Sequence, residues 1–545
     1  AAWITLALDN LWRVRRERPA RAALGAPVRG SWRPPRLLQA AVLAGTLLAA
    51  AALESLTGRA GFQRGSAAVG LALVFAGLAL HLRARRTLGA LWSGVVEVRT
   101  GHPVIAHGPY ARVRHPIYLA LALLAFGSLL VHPSALTACV AGGLAAGLGM
   151  KLRFEERTLH ATLGGAYAAY AARVPALVPD VRPALVRLGR LCGPTRRRYA
   201  LFLGATLWGA WLLTLAAGPG LLDASGQVKG TDFIEFYAAG RIVAAGDAAR
   251  LYDLTLQQRV EHDVTAPEDW PGLYGFLNPP FFALLFVPLA SLPYAVALAV
   301  WSALGLGLVT ASLWLVACAE PAWRGRWQHA IPWVLSFVPV FAAVSYGQNS
   351  LLSLALLAAT YLLLRRGRDT AAGLVLGALL YRPQLVVVLA LALAAERRWR
   401  ALAGLTGSGV LLAALSWGMS VPGARAYVTL SRAFPTMLAS PGFPTWNMHS
   451  LYSFFVLLVP EVPRVAQALS LASTVVLLAV ARRLQPSYAG GLARWYAVAL
   501  WATTLASPHL FLYDLSLLVL AAMLVWPAPG DEALWRGGLA VVWVT

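Results

Sequence analysis

The feature that most constrains this chain is its succession of apolar runs. Roughly a dozen or more are long enough, at about 1.5 Å per helical residue, to cross a hydrocarbon core of roughly 30 Å. Barrel strands would alternate apolar and polar residues, and these runs do not, so the expected fold class is an all-α polytopic integral membrane protein. Composition agrees: with 59% of its 545 residues hydrophobic and 13% charged, the chain has too little polar residue to cover a globular surface. The 46 Lys and Arg against 23 Asp and Glu would suit a nucleic acid, but they fall in short blocks between apolar runs. That is the positive-inside pattern, so membrane lipids and no nucleic acid are the expected partners. Cys139, Cys192 and Cys318 are each isolated in or beside an apolar stretch and support neither a disulfide framework nor a thiolate metal site. The chain starts without Met and stops inside an apolar run, so both ends are expected to be truncated and no signal peptide can be judged.

The basic blocks give the sidedness. A basic segment, 1–36, precedes a first span near 37–55, and a second span ends at the block His81 to Arg86, so both flanks are expected in the cytoplasm. Apolar runs at about 117–132 and 134–150 form a hairpin through His132-Pro133-Ser134 that returns to Lys151-Leu152-Arg153. A second basic stretch, residues 186–198, precedes a span near 199–217, which places Asp223 to Asn278 outside. The blocks at 324–326, 365–368, 397–400 and 482–483 can all be cytoplasmic if the runs interrupted by Pro279-Pro280 and Arg382-Pro383 are split or re-entrant helices. The loops around Gln348, Pro422 to His449 and Ser507 to Asp514 then lie outside as well. Two membrane domains are expected, 37–185 and 199–545, joined by the basic linker 186–198, with functional faces on opposite sides of the cell membrane.

In the first half the densest polar cluster is Gly108-Pro109-Tyr110-Ala111-Arg112-Val113-Arg114-His115-Pro116-Ile117-Tyr118. The hairpin brings it to Phe154-Glu155-Glu156-Arg157 and a closing Arg173-Val174-Pro175. Arg114 and His115 can donate hydrogen bonds, Glu155 and Glu156 can accept, and Tyr118 can wall a flat or cationic group. In an alternative reading the basic residues are interfacial anchors that the glutamates merely neutralise. These motifs resemble the isoprenylcysteine carboxyl methyltransferase and phospholipid methyltransferase superfamily over residues 66–182. The resemblance implies S-adenosylmethionine as cofactor, bound by Arg114, His115, Pro116, Tyr118, Glu155 and Glu156. It also implies a methyl acceptor that enters from the bilayer.

The second half carries Thr231-Asp232-Phe233-Ile234-Glu235-Phe236-Tyr237, then Tyr346-Gly347-Gln348-Asn349, Tyr381-Arg382-Pro383-Gln384 and Ser507-Pro508-His509-Leu510-Phe511-Leu512-Tyr513-Asp514. This ordered set resembles glycosyltransferase family eighty-seven, membrane-embedded GT-C enzymes that include polyprenol-phosphate-mannose-dependent alpha-mannosyltransferases, over residues 199–527. The resemblance implies a polyprenyl-phosphate sugar as donor and a cell-envelope glycolipid or glycan as acceptor. It implies Asp232 as catalytic base, with His509 as a second catalytic candidate for proton transfer or phosphate contact. Arg382 stands where the family more often has Lys and, with Gln348, is the candidate for the donor phosphate. Such chemistry needs a base for the acceptor hydroxyl and cations or amides for the phosphate, and no metal site is expected.

Bland roles stand beside these: Asp232 as the cap of a short helix, His509 as an interfacial histidine, and Glu235, Asp253, Asp514 and His449 as solvated loop residues. The leading function is a bifunctional enzyme, methylating inside and transferring a hexose outside. The alternatives are a transporter or lipid flippase, for which split helices with polar residues would form the pathway, or a chain in which only one half is active.

Overall fold

The computed structural model describes residues 64–91, 103–132, 135–177, 196–268, 270–438, 440, 443–458, 462–484 and 488–525. The basic segment 1–36, the span near 37–55, Cys192 and the linker up to residue 195 lie outside the described residues, as does the chain from 526 on. Among the described residues regular structure is helical, apart from isolated bridges pairing Leu222 with Val228 and Met448 with Phe511. Four helices among the described residues are long and apolar enough to cross a membrane: Arg198–Ala217, Tyr294–Ala319, Trp399–Met419 and Arg464–Arg483. The pair Trp327–Leu335 and Val338–Ser345, bent by 70°, is a fifth candidate. Other apolar runs are shorter helices, among them Asp369–Tyr381 and Pro383–Ala395 on either side of Arg382. The protein is an all-α polytopic membrane protein. Phe202, Leu213, Val410, Leu411, Leu471 and Val476 stand exposed on its long helices, where lipid would cover them.

The described residues form two units, one reaching to residue 183 and taking in 455–468, the other covering 184–454 and 469 onward. The first unit is built on α1 (Arg64–Leu88), α2 (Pro116–Val131) and α3 (Ala135–Arg173). Helices in lipid associate by close packing rather than by hydrophobic expulsion, and α1 and α2 meet backbone to backbone. A Cβ on Gly70 would lie 2.7 Å from the Gly127 carbonyl oxygen, and one on Gly127 equally close to that of Gly70. The stretch after residue 150 continues α3 as far as Arg173, with one non-helical residue, Gly164 at φ 53°. The returning span and the paired glutamates therefore share one helix.

The second unit contains α4 (Arg196–Ala217), α5 (Phe233–Ala244), α6 (Leu254–Thr265), α7 (Tyr294–Ala319), α8 (Val338–Ser345), α9 (Ser350–Arg365), α10 (Asp369–Ala378), α11 (Val387–Ala395) and α12 (Trp399–Met419). Its core gathers Phe233, Phe236, Phe286, Trp301, Tyr361, Trp495 and Tyr496, all buried. Phe236 stacks on Phe286 at 4.9 Å between ring centroids, and Phe233 on Trp301 at 6.3 Å. This aromatic packing seats the start of α5 against α7. Charged residues collect at the opposite helix ends: Arg365 pairs with Glu320 at 3.4 Å, Arg398 with Asp369 at 3.1 Å and Arg482 with Glu396 at 3.4 Å. Because α9 runs from Ser350 to Arg365, about 22 Å at its rise per residue, its first residue and this basic end are far apart.

Candidate functional sites

In the first unit, Pro116 opens α2 at a position where a missing N–H costs nothing, which leaves Arg114 and His115 just outside the helix. The chain after α3 fixes them, since the Arg114 amide donates to the Pro175 carbonyl at 2.9 Å and that of His115 to Ala176 at 3.0 Å. Glu156 takes four hydrogen bonds, from Arg114 Nε (3.0 Å) and Nη2 (2.9 Å), His115 Nε2 (2.6 Å) and the Tyr167 hydroxyl (2.7 Å). Burial raises its pKa, but the bonds from His115, Arg114 and Tyr167 outweigh this and bring the carboxyl down to about 2. Arg114 Nη1 also donates to the Ala171 and Val174 carbonyls, at 2.9 and 2.5 Å. Glu156 and Arg114 are thereby committed to tying the RHP segment to α3.

Glu155 is differently placed. The Tyr118 hydroxyl donates to its Oε2, and its side chain is 29% exposed. Tyr118 stacks on His115 with centroids 5.4 Å apart, and Lys151 Nζ lies over the Tyr118 ring at 5.6 Å. From sequence, Lys151 reads only as an interfacial anchor. Here it adds a cation beside the partly open Glu155. Pro116 contributes through the backbone start of α2.

In the second unit four segments far apart in sequence meet in one hydrogen-bonded chain. Asp232 immediately precedes α5, yet its side chain makes no capping bond. Asp253 behaves as the ordinary cap, accepting from the Thr255 and Leu256 amides. Asp232 Oδ2 instead accepts from Gln348 Nε2 at 2.7 Å. Gln348 Oε1 accepts from Arg382 Nη2 at 3.1 Å. Arg382 Nη1 donates to Ser350 Oγ at 3.2 Å and to Asp514 Oδ1, with which it forms a buried ion pair. The Ser350 hydroxyl donates to the same Asp514 oxygen at 2.6 Å. Burial lifts the Asp232 carboxyl to about 6, with the Gln348 bond and the Arg382 charge pulling the other way and the Asp514 charge adding to the rise.

The backbone reasons for this convergence are local. Gly347 has φ 66°, a conformation suited to glycine, and a Cβ there would lie 2.5 Å from the Phe233 Cβ. The turn lets the Tyr346 carbonyl receive the amides of Asp232 (3.0 Å) and Phe233 (3.1 Å), while the Gly347 carbonyl receives Trp301 Nε1 at 2.8 Å. Gln348 is thus delivered to Asp232. Pro383 ends the preceding helix, leaving Arg382 in a non-helical conformation (φ −131°, ψ 72°) at the break.

His509 sits among Phe434, Phe443 and Phe511, with centroids at 5.3, 6.1 and 4.8 Å. Burial draws its imidazole down to about 4, against the nearby Asp514 charge and with that of Arg382, so the ring is neutral at pH 7. Asp232, Gln348 and Arg382 are therefore joined directly, whereas His509 reaches them only through the electrostatics of Asp514 and Arg382. Ser350 and Asp514 complete the network. The sequence offered Ser350 only as the neighbour of the Tyr346-Gly347-Gln348-Asn349 motif and Asp514 as a solvated loop residue, whereas Asp514 is buried.

Each unit thus carries its own polar centre among helices with exposed apolar faces. Residues 276–508 match the model of Glycosyltransferase family 87, and residues 69–161 match that of the Isoprenylcysteine carboxyl methyltransferase (ICMT) family. The protein is a glycosyltransferase with a fused methyltransferase-like domain. The first match takes in Gln348 and Arg382 but stops before Asp232 on one side and His509 on the other, and the second takes in Arg114 to Tyr118 and both glutamates. No curated protein and no solved structure matches the chain.

Proposed function

We propose that the second unit transfers a hexose, mannose first among the candidates, from a polyprenyl phosphate to a hydroxyl of a cell-envelope glycolipid or glycan outside the plasma membrane. The first unit, on the same reading, methylates a lipid or small amphiphile with S-adenosylmethionine on the cytosolic side. The two domains are taken as 37–185 and 199–545.

The observation that carries the transfer reading is the continuous link from Asp232 through Gln348 to Arg382. In the reaction the acceptor oxygen bonds to sugar C1 as the bond from C1 to the phosphate oxygen breaks. The electron pair leaves on the polyprenyl phosphate, and the hydroxyl proton passes to Asp232. One displacement inverts the configuration at C1. Arg382 has five N–H groups, and three of them are engaged among the described residues. The remaining two supply a charge-assisted grip for the leaving phosphate. His509, neutral at pH 7, serves as a hydrogen-bonding wall of that subsite. Sidedness follows from the basic helix ends around Arg365, Arg398 and Arg482. Lying at the end of α9 remote from Ser350, they fit the cytoplasmic side by the positive-inside pattern, which supports an outward Asp232 network.

For the first unit, the donor set fits a zwitterionic cofactor: the partly open Glu155 carboxylate offers an acceptor and the adjoining Lys151 a cation. When bound, S-adenosylmethionine supplies the electrophilic methyl group. Tyr118 orients Glu155, while Arg114, His115 and Glu156 hold the loop and α3 in register. The transfer reading is tested with purified protein, polyprenyl-phosphate-mannose and an alkyl mannoside acceptor. The product linkage should have the anomeric configuration opposite to the donor's, and retention would exclude single displacement with Asp232 as base.

A further inference from the structure

One helical turn beyond Asp232, Glu235 lies on the same face of α5 at the spacing where side chains are neighbours. Asp232 is held by Gln348 and Asp514 by Arg382 and Ser350. Glu235 is partnered by no side chain or amide among the described residues, although it is only half-buried and so open to a small polar group. Burial, then the charges of Asp232 and Glu261, hold its pKa well above the carboxylate range, with Arg382 opposing. Behind it Glu261 is fully buried; its Oε2 accepts from the Tyr274 amide at 3.0 Å while its Oε1 has no partner. Thr231 Oγ1 and Asn349 Oδ1, adjoining Asp232 and Gln348 in the chain, are likewise buried without partners. Unmet hydrogen-bonding capacity next to a fixed base suits a ligand rich in hydroxyls.

We propose that Glu235 is the acceptor-binding residue, hydrogen-bonding a second hydroxyl of the acceptor sugar while Asp232 receives the proton of the attacking one. This rests on the transfer reading for its chemistry, but it concerns binding and can be measured without turnover. A carboxyl that both donates and accepts can engage vicinal hydroxyls, which places acceptor recognition on the α5 side of the base. The phosphate grip lies beyond Gln348 from the base, at Arg382.

The test is equilibrium binding of radiolabelled octyl α-mannoside to the intact protein, Glu235→Ala and Glu235→Gln, with no donor present, followed by initial rates with polyprenyl-phosphate-mannose. Glu235→Ala should weaken binding by about tenfold or more, the weight of one well-placed hydrogen bond, and raise the acceptor KM alike while kcat and the donor KM hold. Glu235→Gln, which keeps a donor and an acceptor, should recover most of the affinity. Unchanged binding in Glu235→Ala, equal loss in both variants, or no binding to the intact protein would overturn the proposal. Binding without transfer by the intact protein would instead sink the transfer reading, leaving Glu235 to be judged on its binding constants.

Discussion

Asp232 can take a proton only when ionised, and its carboxyl stands at about 6. The transfer rate should therefore rise with pH through about 6 and level off above it; a rate already flat from pH 5 would remove Asp232 as the base. Arg382 makes its bonds through a fork that lysine lacks. Arg382→Lys should raise the donor KM by about tenfold or more, as expected for loss of a charge-assisted hydrogen bond, and an unchanged donor KM would place the phosphate elsewhere. Glu261 gives a stability test. Burial raises its carboxyl to about 8, so between its ordinary value and 8 the native state holds a proton that the unfolded state has released. Stability should thus be fullest at acid pH, fall as pH rises through that window and then level off. Thermal unfolding of Glu261→Gln should lack this fall, and an identical slope in both proteins would refute the assignment. At this scale the sequence was legible for residue type and not for partnership. Asp232 and Asp514 are both aspartates in polar motifs of the second half, and only the fold shows one bonded to Gln348 and the other neutralising Arg382.

Single glycines decide how elements meet. Gly347→Ala would put a side chain at positive φ and against Phe233, costing about 1–2 kcal/mol for the conformation alone. Transfer should fall much further than stability does, because the same turn delivers Gln348 to Asp232; near-normal activity would show that the turn is not needed. In the first unit Gly127→Leu forces α1 and α2 apart. It should destabilise that unit by about 1–3 kcal/mol, the usual cost of overpacking, seen as lost methyl transfer and lower expression. The apolar runs marked these helices clearly, and Arg382-Pro383 marked a break from its own chemistry. What the sequence did not reveal was the continuity of α3 to Arg173, since its later turns lose apolar character while keeping the helix. Nor did it separate spanning helices from shorter apolar ones, because both satisfy the same hydropathy.

Across the whole molecule, the proposed function gives one chain two independent transferase centres, one on each side of the membrane. His115→Ala should abolish methyl transfer and spare sugar transfer, and Asp232→Ala the reverse; loss of both from either change would mean a single shared function. Impermeant thiol reagents added outside should label a cysteine introduced beside Asp232 and not one beside Glu156. The measurement that bears most directly on the central claim is incorporation of radiolabelled mannose from polyprenyl-phosphate-mannose into membrane glycolipid. Intact protein and Asp232→Ala would be compared at matched abundance, with methyl transfer in the same membranes as the control for folding. The account predicts incorporation by the intact protein that falls about 100-fold or more in the variant, the scale of a lost general base, with methyl transfer preserved. Incorporation undiminished in the variant would contradict it, as would none from the intact protein with this or other polyprenyl-phosphate sugars. The second of those results would return the split helix at Arg382 to the reading of a transport pathway.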